Sequence, residues 1–179
     1  MFRLINEISK NRFPWVFLIL ISIGLEACGI YFQYYLRFDP CVYCIYERVF
    51  ILGFFFSGLI GALIPNLAVV RFLALCLSLA SSIAGIITGI DHFKSVNSTG
   101  FGAACKLTVD FPEYLPLDSW MPWFFSPRGN CDKLPWDFLG LDIPSWIIII
   151  FAIGVLGSVL GILSLLAKKK EPDYLKYYR

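Results

Sequence analysis

Apolar residues run almost unbroken through positions of about 15–36, 45–64, 72–90 and 145–167, and between these runs the chain turns polar. A hydrocarbon core of about 30 Å takes about 20 helical residues at about 1.5 Å each, so every run is long enough to cross it. The first is interrupted by Glu26, and the second has Glu47 and Arg48 at its start. The fourth carries no charge and places Trp146 at one mouth, where an amphipathic ring suits the headgroup layer. A cleaved signal peptide would show an apolar region of only about 7 to 15 residues, so the first run reads as an uncleaved span.

Lipid tails are as apolar as leucine, so burial of apolar surface gives spans no net drive to associate, and close backbone packing at small residues has to supply it. Gly53, Ser57 and Gly61 recur every four residues in the second run, Ser81, Gly85 and Gly89 in the third, and Gly157 with Gly161 in the fourth. The expectation is an all-α membrane protein, an antiparallel four-helix transmembrane bundle forming a single integral membrane domain over 1–179, with outer loops at about 37–44 and 91–144.

Composition agrees with the pattern. The 179 residues are 58% hydrophobic and 16% charged, with a mean hydropathy of +0.72, too little polar surface to cover a soluble globule. Charge then sets the orientation. Arg3, Lys10, Arg12, Arg71, Lys168, Lys169, Lys170, Lys176 and Arg179, nine of the fifteen cations, fall on one face, which the positive-inside rule makes cytoplasmic. Both termini are therefore expected in the cytoplasm, and the 91–144 loop, with seven carboxylates, outside. The net charge of +2 is a topology signal and gives no reason to expect a nucleic-acid partner; the partner of this surface is membrane lipid.

The outer loop is too long for a passive connector. Its segment FPEYLPLDSWMPWFFSP, from Phe111 to Pro127, mixes aromatic rings with carboxylates and should lie along the interface. Prolines at 112, 116, 122 and 127 limit it to a short interfacial helix of a turn or two. Asn97-Ser98-Thr99 matches a glycosylation sequon, a short pattern to which no role is attached.

Six cysteines divide by depth. Cys28 and Cys76 fall inside spans and read as small apolar core residues, neutral and inert. Cys41, Cys44, Cys105 and Cys131 fall outside, on the face where an oxidising compartment lets disulfides persist. Pro40-Cys41-Val42-Tyr43-Cys44 stands where an outer loop becomes a helix, so Pro40 can start the helix and the motif lies over its first turn, where the macrodipole favours a thiolate. Arg48 follows Cys44 by four residues on the same helical face and adds a fixed positive charge. A zinc ribbon would show a second C-x-x-C and a c-type haem site C-x-x-C-H; neither is present, and no metal site is expected. Glu26, at mid-span, is expected to be protonated or hydrogen-bonded across the bundle, because an ionised carboxylate there costs about 2.5 to 3.5 kcal/mol.

The ordered set PCVYCIYER from Pro40 to Arg48, Cys105 followed by FPEYLPLDSW, and GNCDKLPWDFLGLDIPSW from Gly129 to Trp146 resembles the DsbB family of disulfide bond formation proteins over nearly the whole chain. The resemblance implies a protein-disulfide oxidase of the bacterial inner membrane that reoxidises a DsbA-like periplasmic thioredoxin-fold protein and passes the electrons to a membrane quinone, ubiquinone or menaquinone. It implies that Cys105 and Cys131 form the disulfide the partner attacks, with Cys105 taking the mixed disulfide. The freed Cys131 then attacks Cys41, and Cys44 becomes the electron donor to the quinone. It implies also that Arg48 polarises a quinone carbonyl and that His92 lines the same pocket. Glu47 belongs to the matching motif, and its partner, Arg48 or water, is left open.

Vitamin K epoxide reductase-like proteins also combine a helical bundle, C-x-x-C and quinone, but their active motif lies late in the chain, whereas here it opens the second span. A non-catalytic membrane scaffold with structural disulfides is the reading of a different class. It requires Cys41 and Cys44 to stay oxidised through any redox cycle.

Overall fold

The computed structural model describes residues 2–97, 108–129 and 136–167. Cys105, Cys131 and the Lys168–Arg179 tail lie outside the described residues. Helices α1 (Phe2–Ser9), α2 (Phe13–Tyr34), α3 (Val42–Leu63), α4 (Ala68–Asn97), α5 (Leu117–Trp120), α6 (Pro122–Phe125) and α7 (Ile143–Leu166) follow in order. Four of them, α2, α3, α4 and α7, are long and apolar enough to cross a membrane. They run alternately up and down, α2 packed on α3, α3 on α4 and α4 on α7, as an antiparallel four-helix bundle. Among the described residues the one β pairing is a bridge between Phe138 and Leu141, closed by Leu139 and Gly140 at positive φ as a mirror-image turn requires.

Local chemistry fixes the helix ends. Pro14 sits in the first turn of α2, where its missing N–H is not needed. At the far end Arg37 takes a left-handed conformation, φ 59°, and turns the chain so that the Phe38 N–H donates to the Phe32 carbonyl. Pro65 and Asn66 form the tight α3–α4 turn, closed by Leu67 N–H on Ile64 O. Asp142 caps α7 by accepting from the Ser145 N–H at 3.1 Å.

Two boundaries differ from the hydropathy reading in ways that matter for the site. The cap of α3 is Cys41, whose Sγ accepts from the Cys44 N–H at 3.4 Å, so the helix starts at Val42 and Pro40 lies outside it. Helix α4 spans 30 residues, not 72–90, beginning at Ala68 and continuing to Asn97. The apolar run stops at Asp91, but the helix does not, because His92 turns inward and is buried while Asp91 and Lys94 pair on the exposed side.

The interior is polar and small, the exterior large and apolar, as lipid solvation requires. Ser22, Ser57, Ser78, Ser82, Ser158 and Ser164 are buried, while Phe17, Leu20, Ile23, Ile87, Ile153 and Leu156 are exposed. Ser57 donates to the Ala74 carbonyl across α3 and α4, and Ser158 donates to Ser78 across α7 and α4. The apolar core is Ile51, Phe54 and Phe151. Gly53 faces Ser81, Gly61 faces the Trp15 ring, Gly85 faces Phe151 and Gly161 faces Leu75, each too close for a Cβ. Gly157, expected on a packing face, has open space instead. Cys28 is exposed and Cys76 partly exposed, so neither is the core residue the sequence suggested.

Helix α1, not foreseen from hydropathy, lies across the end of the bundle where α2 and α4 begin and α7 ends. Arg71 of α4 fastens it by donating to Asn6 Oδ1 at 2.8 Å and Ser9 Oγ at 2.7 Å.

Candidate functional site

At the opposite end, the first two turns of α3 bring buried Glu47 and Arg48 together with Gln33 of α2 and His92 of α4. Cys41 and Cys44, three residues apart across the helix cap, bring their Sγ atoms to 3.2 Å. Cys41 is 3% exposed and Cys44 is half-buried. His92, from the extended end of α4, reaches across so that Nε2 lies 3.5 Å from Cys41 Sγ, while Nδ1–H donates to Glu47 Oε1 at 2.8 Å. Tyr43 stacks on the imidazole. The result is a carboxylate, imidazole and thiol in line, with both ring nitrogens occupied. Glu47 thus pairs with His92, neither with Arg48 nor with water, and His92 is buried, not a solvated interface residue.

The Cys41 thiol is held far below its ordinary value of 9.0, at about 4. The hydrogen bond with Cys44 is the main cause; burial opposes it, and the hydrogen bond and charge of His92 reinforce it.

Arg48 is one position on from Glu47 and points to the other side, toward α2. Its Nη1 donates to Gln33 Oε1 at 2.9 Å and to the Phe124 carbonyl at 2.8 Å, and its Nη2 donates to the Gly29 carbonyl at 3.2 Å. The guanidinium also lies over the Phe124 ring, 5.2 Å from its centroid. Helix α6 is one turn long and leaves its last carbonyls without intrahelical donors, so the end of α6 is a natural seat for a cation. Gln33 and Tyr34 of α2 both donate to the next carbonyl back, that of Trp123. The segment expected at Phe111–Pro127 therefore contains two single-turn helices separated at Met121, docked through backbone carbonyls onto α2 and α3.

Gln33, Gly29 and Glu26 share one face of α2, and the sequence reading passed over the first two. A seven-residue spacing between Glu26 and Gln33 in an otherwise apolar run was the available signal. Glu26 is buried, and neither carboxylate oxygen has a hydrogen-bond partner among the described residues; Arg48 is its electrostatic neighbour. Arg48, 7% exposed, makes no ion pair among the described residues and is held by neutral acceptors. Such a cation suits a ligand whose oxygen gains negative charge, and beside a half-buried thiol this donor set fits a quinone carbonyl.

Two further contacts bind the outer loop to the motif. Arg128 and Gly129 N–H groups both donate to the Pro40 carbonyl, at 3.0 and 3.1 Å. A Cβ at Gly129 would collide with the Asp39 carbonyl, so this approach needs glycine. Tyr46 of α3 accepts from the Asp110 N–H at 2.8 Å. Gly129 precedes Cys131 by two positions and Asp110 follows Cys105 by five.

A multi-pass helical bundle with a buried cysteine pair at one mouth, one thiol activated, has the makings of a membrane thiol–disulfide oxidoreductase. Residues 11–161 match the family model described as Disulfide bond formation protein DsbB. The chain is 42% identical over 147 residues to Disulfide bond formation protein B of Histophilus somni, covering 82% of this chain and 83% of that one. It is 36% identical over 171 residues to the protein of that name from Photobacterium profundum, covering 96% and 97%. The chain belongs to the DsbB family, and it is a disulfide-forming oxidoreductase of the membrane.

Proposed function

We propose that this protein reoxidises a DsbA-like periplasmic thioredoxin-fold protein and passes the electrons to a membrane quinone, ubiquinone or menaquinone, in the bacterial inner membrane with both termini cytoplasmic. The observation that carries the reading is the buried Cys41–Cys44 pair set between the His92–Glu47 pair on one side and Arg48 on the other.

A thiolate of the reduced partner attacks Cys105 of a Cys105–Cys131 disulfide, and Cys131 leaves with the electron pair. The partner's second thiolate resolves the mixed disulfide and frees Cys105. Cys131 attacks Cys41 of the oxidised Cys41–Cys44 pair, and Cys44 leaves as thiolate beside the acceptor; Cys105 then attacks Cys131, which restores the Cys105–Cys131 disulfide and releases Cys41, so that the Cys41–Cys44 pair carries both electrons. Two electrons and two protons pass on for each partner dithiol oxidised. A quinone, when bound, would supply the sink for both. Cys44 and Arg48 would hold it, Arg48 placing its charge where a carbonyl oxygen becomes negative, while His92, whose ring nitrogens are taken by Glu47 and Cys41, would act through Cys41. His92 Nε2 exchanges a proton with Cys41, and Glu47 fixes the tautomer by taking the other N–H. The docking of Gly129 on Pro40 and of Asp110 on Tyr46 supports exchange between the two cysteine pairs.

The test is quinone reduction followed by ultraviolet absorbance, with the detergent-solubilised full chain and a reduced DsbA-like dithiol. Wild type should turn over with one of the two quinone types, and Cys44→Ser and Cys105→Ser should both stop. Absence of quinol with either type while the partner stays reduced would leave the scaffold reading in its place.

A further inference from the structure

Cys41, Cys44 and His92 present two sulfurs and one imidazole nitrogen within 4.8 Å of one another, a cluster of soft donors from two helices. Tetrahedral zinc, with bonds of about 2.3 Å to sulfur and about 2.0 Å to nitrogen, separates sulfur from nitrogen by about 3.5 Å and sulfur from sulfur by about 3.8 Å. Cys41 Sγ and His92 Nε2 are already 3.5 Å apart, the 3.2 Å between the sulfurs needs to open by about 0.6 Å, and Cys44 Sγ, within 4.8 Å of His92 Nε2, needs to close by up to about 1.3 Å. The second layer is in place as well. Glu47 accepts the Nδ1 proton of His92, the arrangement by which proteins aim Nε2 at a metal and raise its basicity. The expectation of no metal site rested on the lack of a second C-x-x-C. The imidazole that completes a different set comes from α4, 51 positions from Cys41.

We propose that the reduced Cys41–Cys44 pair, together with His92, binds one zinc-class thiophilic divalent cation, with Glu47 as the orienting carboxylate and the fourth position open to solvent. Binding displaces whatever protons the three ligand atoms still hold and transfers no electrons. Two thiolates cancel the charge of the ion, so the filled core of the site is neutral where charge is hard to bury. The disulfide form lacks the thiolates and cannot bind. A cation at this place therefore traps the protein as the dithiol and withholds both sulfurs from exchange, a brake set by metal supply. Nothing in this inference depends on quinone.

Cobalt(II) is the probe, because tetrahedral thiolate coordination gives it a sulfur-to-metal charge-transfer band and intense visible d–d bands. The full chain in detergent, with Cys105→Ser and Cys131→Ser to remove the other outer thiols, is titrated with cobalt in the reduced and the oxidised state. One cobalt per chain with both sets of bands, displaced by one equivalent of zinc and absent from the oxidised protein, is the expected result. Cys41→Ser should weaken the charge-transfer band, and Cys41→Ser with Cys44→Ser should abolish it. His92→Gln should weaken affinity and change the d–d pattern, and Glu47→Gln, which leaves all three ligands in place, should weaken affinity about tenfold or more. Size-exclusion profiles show which variants fold, and Glu47→Gln decides the question if His92→Gln does not. Absence of the bands in the reduced protein, equal binding by the oxidised protein, or unchanged affinity in Glu47→Gln with an unchanged spectrum in any folded His92→Gln overturns the proposal.

Discussion

Glu47 and Arg48 are neighbours in sequence, yet they serve different interfaces, because consecutive helical positions lie about 100° apart. Glu47 turns to His92 on α4, and Arg48 to Gln33 and Gly29 on α2. Motif spacing was enough to pick out Cys41, Cys44 and Arg48. It could not reveal the Glu47–His92 pair, whose members are 45 positions apart and meet only once the rotation of two helices is known. The acidity of Cys41 has a direct test in chelator-treated, reduced Cys105→Ser/Cys131→Ser protein. With a thiol held at about 4, thiolate absorbance from Cys41 should be present in full at neutral pH and fall only as the pH drops through about 4. Cys44→Ala removes the principal hydrogen bond and should move that loss upward toward the ordinary 9.0. A wild-type absorbance that first rises above pH 8 would sink the assignment. Replacing Arg48 by Lys keeps the charge but not the fork that grips Gln33, Phe124 and Gly29 together. Loss of one charge-assisted hydrogen bond of about 1.5 kcal/mol should lower kcat/KM for quinone roughly tenfold, and steady-state kinetics against quinone concentration measures it.

The number and order of the membrane-spanning helices were readable from hydropathy, since four apolar runs in lipid have few alternatives. What hydropathy could not give was the length of α4, because a helix that leaves the hydrocarbon goes on as long as its buried side finds partners, and His92 finds Glu47. The small-residue stripes pointed to packing faces, correctly at Gly53, Gly85 and Gly161 and wrongly at Gly157, which looks into open space. A four-residue repeat marks a face without saying whether a neighbour covers its whole length. The contrast is measurable. A Cβ at Gly85 would lie 2.5 Å from the Phe151 ring, so Gly85→Ala should destabilise the bundle by about 1–3 kcal/mol in denaturant unfolding from detergent. Gly157→Ala, with nothing in its way, should stay within about 0.5 kcal/mol of wild type.

The bundle keeps its two ends distinct: Arg71 and α1 close one, and the cysteine pair, His92 and the docked α5–α6 segment occupy the other. The segment's restriction to single helical turns was legible from its prolines. Its attachment was not, because the acceptors are backbone carbonyls of Trp123 and Phe124, and carbonyls leave no trace in side-chain identity. The same holds for the seat of Gly129 on Pro40. Gly129→Ala would drive a Cβ into the Asp39 carbonyl and lift this stretch from the motif. Stopped-flow reduction of the Cys41–Cys44 pair by a DsbA-like dithiol should then slow about tenfold or more, while direct reduction of the pair by a small thiol is unchanged. A further consequence follows for biogenesis from the buried stripe of Ser22, Glu26 and Gln33, in a helix whose other faces meet lipid. The ribosome delivers α2 before the Arg48 that Gln33 holds and that lies beside Glu26. At about 5–20 residues per second, completing the chain from Tyr34 to Leu63 takes roughly 1.5 to 6 seconds more. Until then a carboxyl and an amide would face hydrocarbon alone, so the unit the insertion machinery can release into the bilayer is the α2–α3 hairpin, not its first helix.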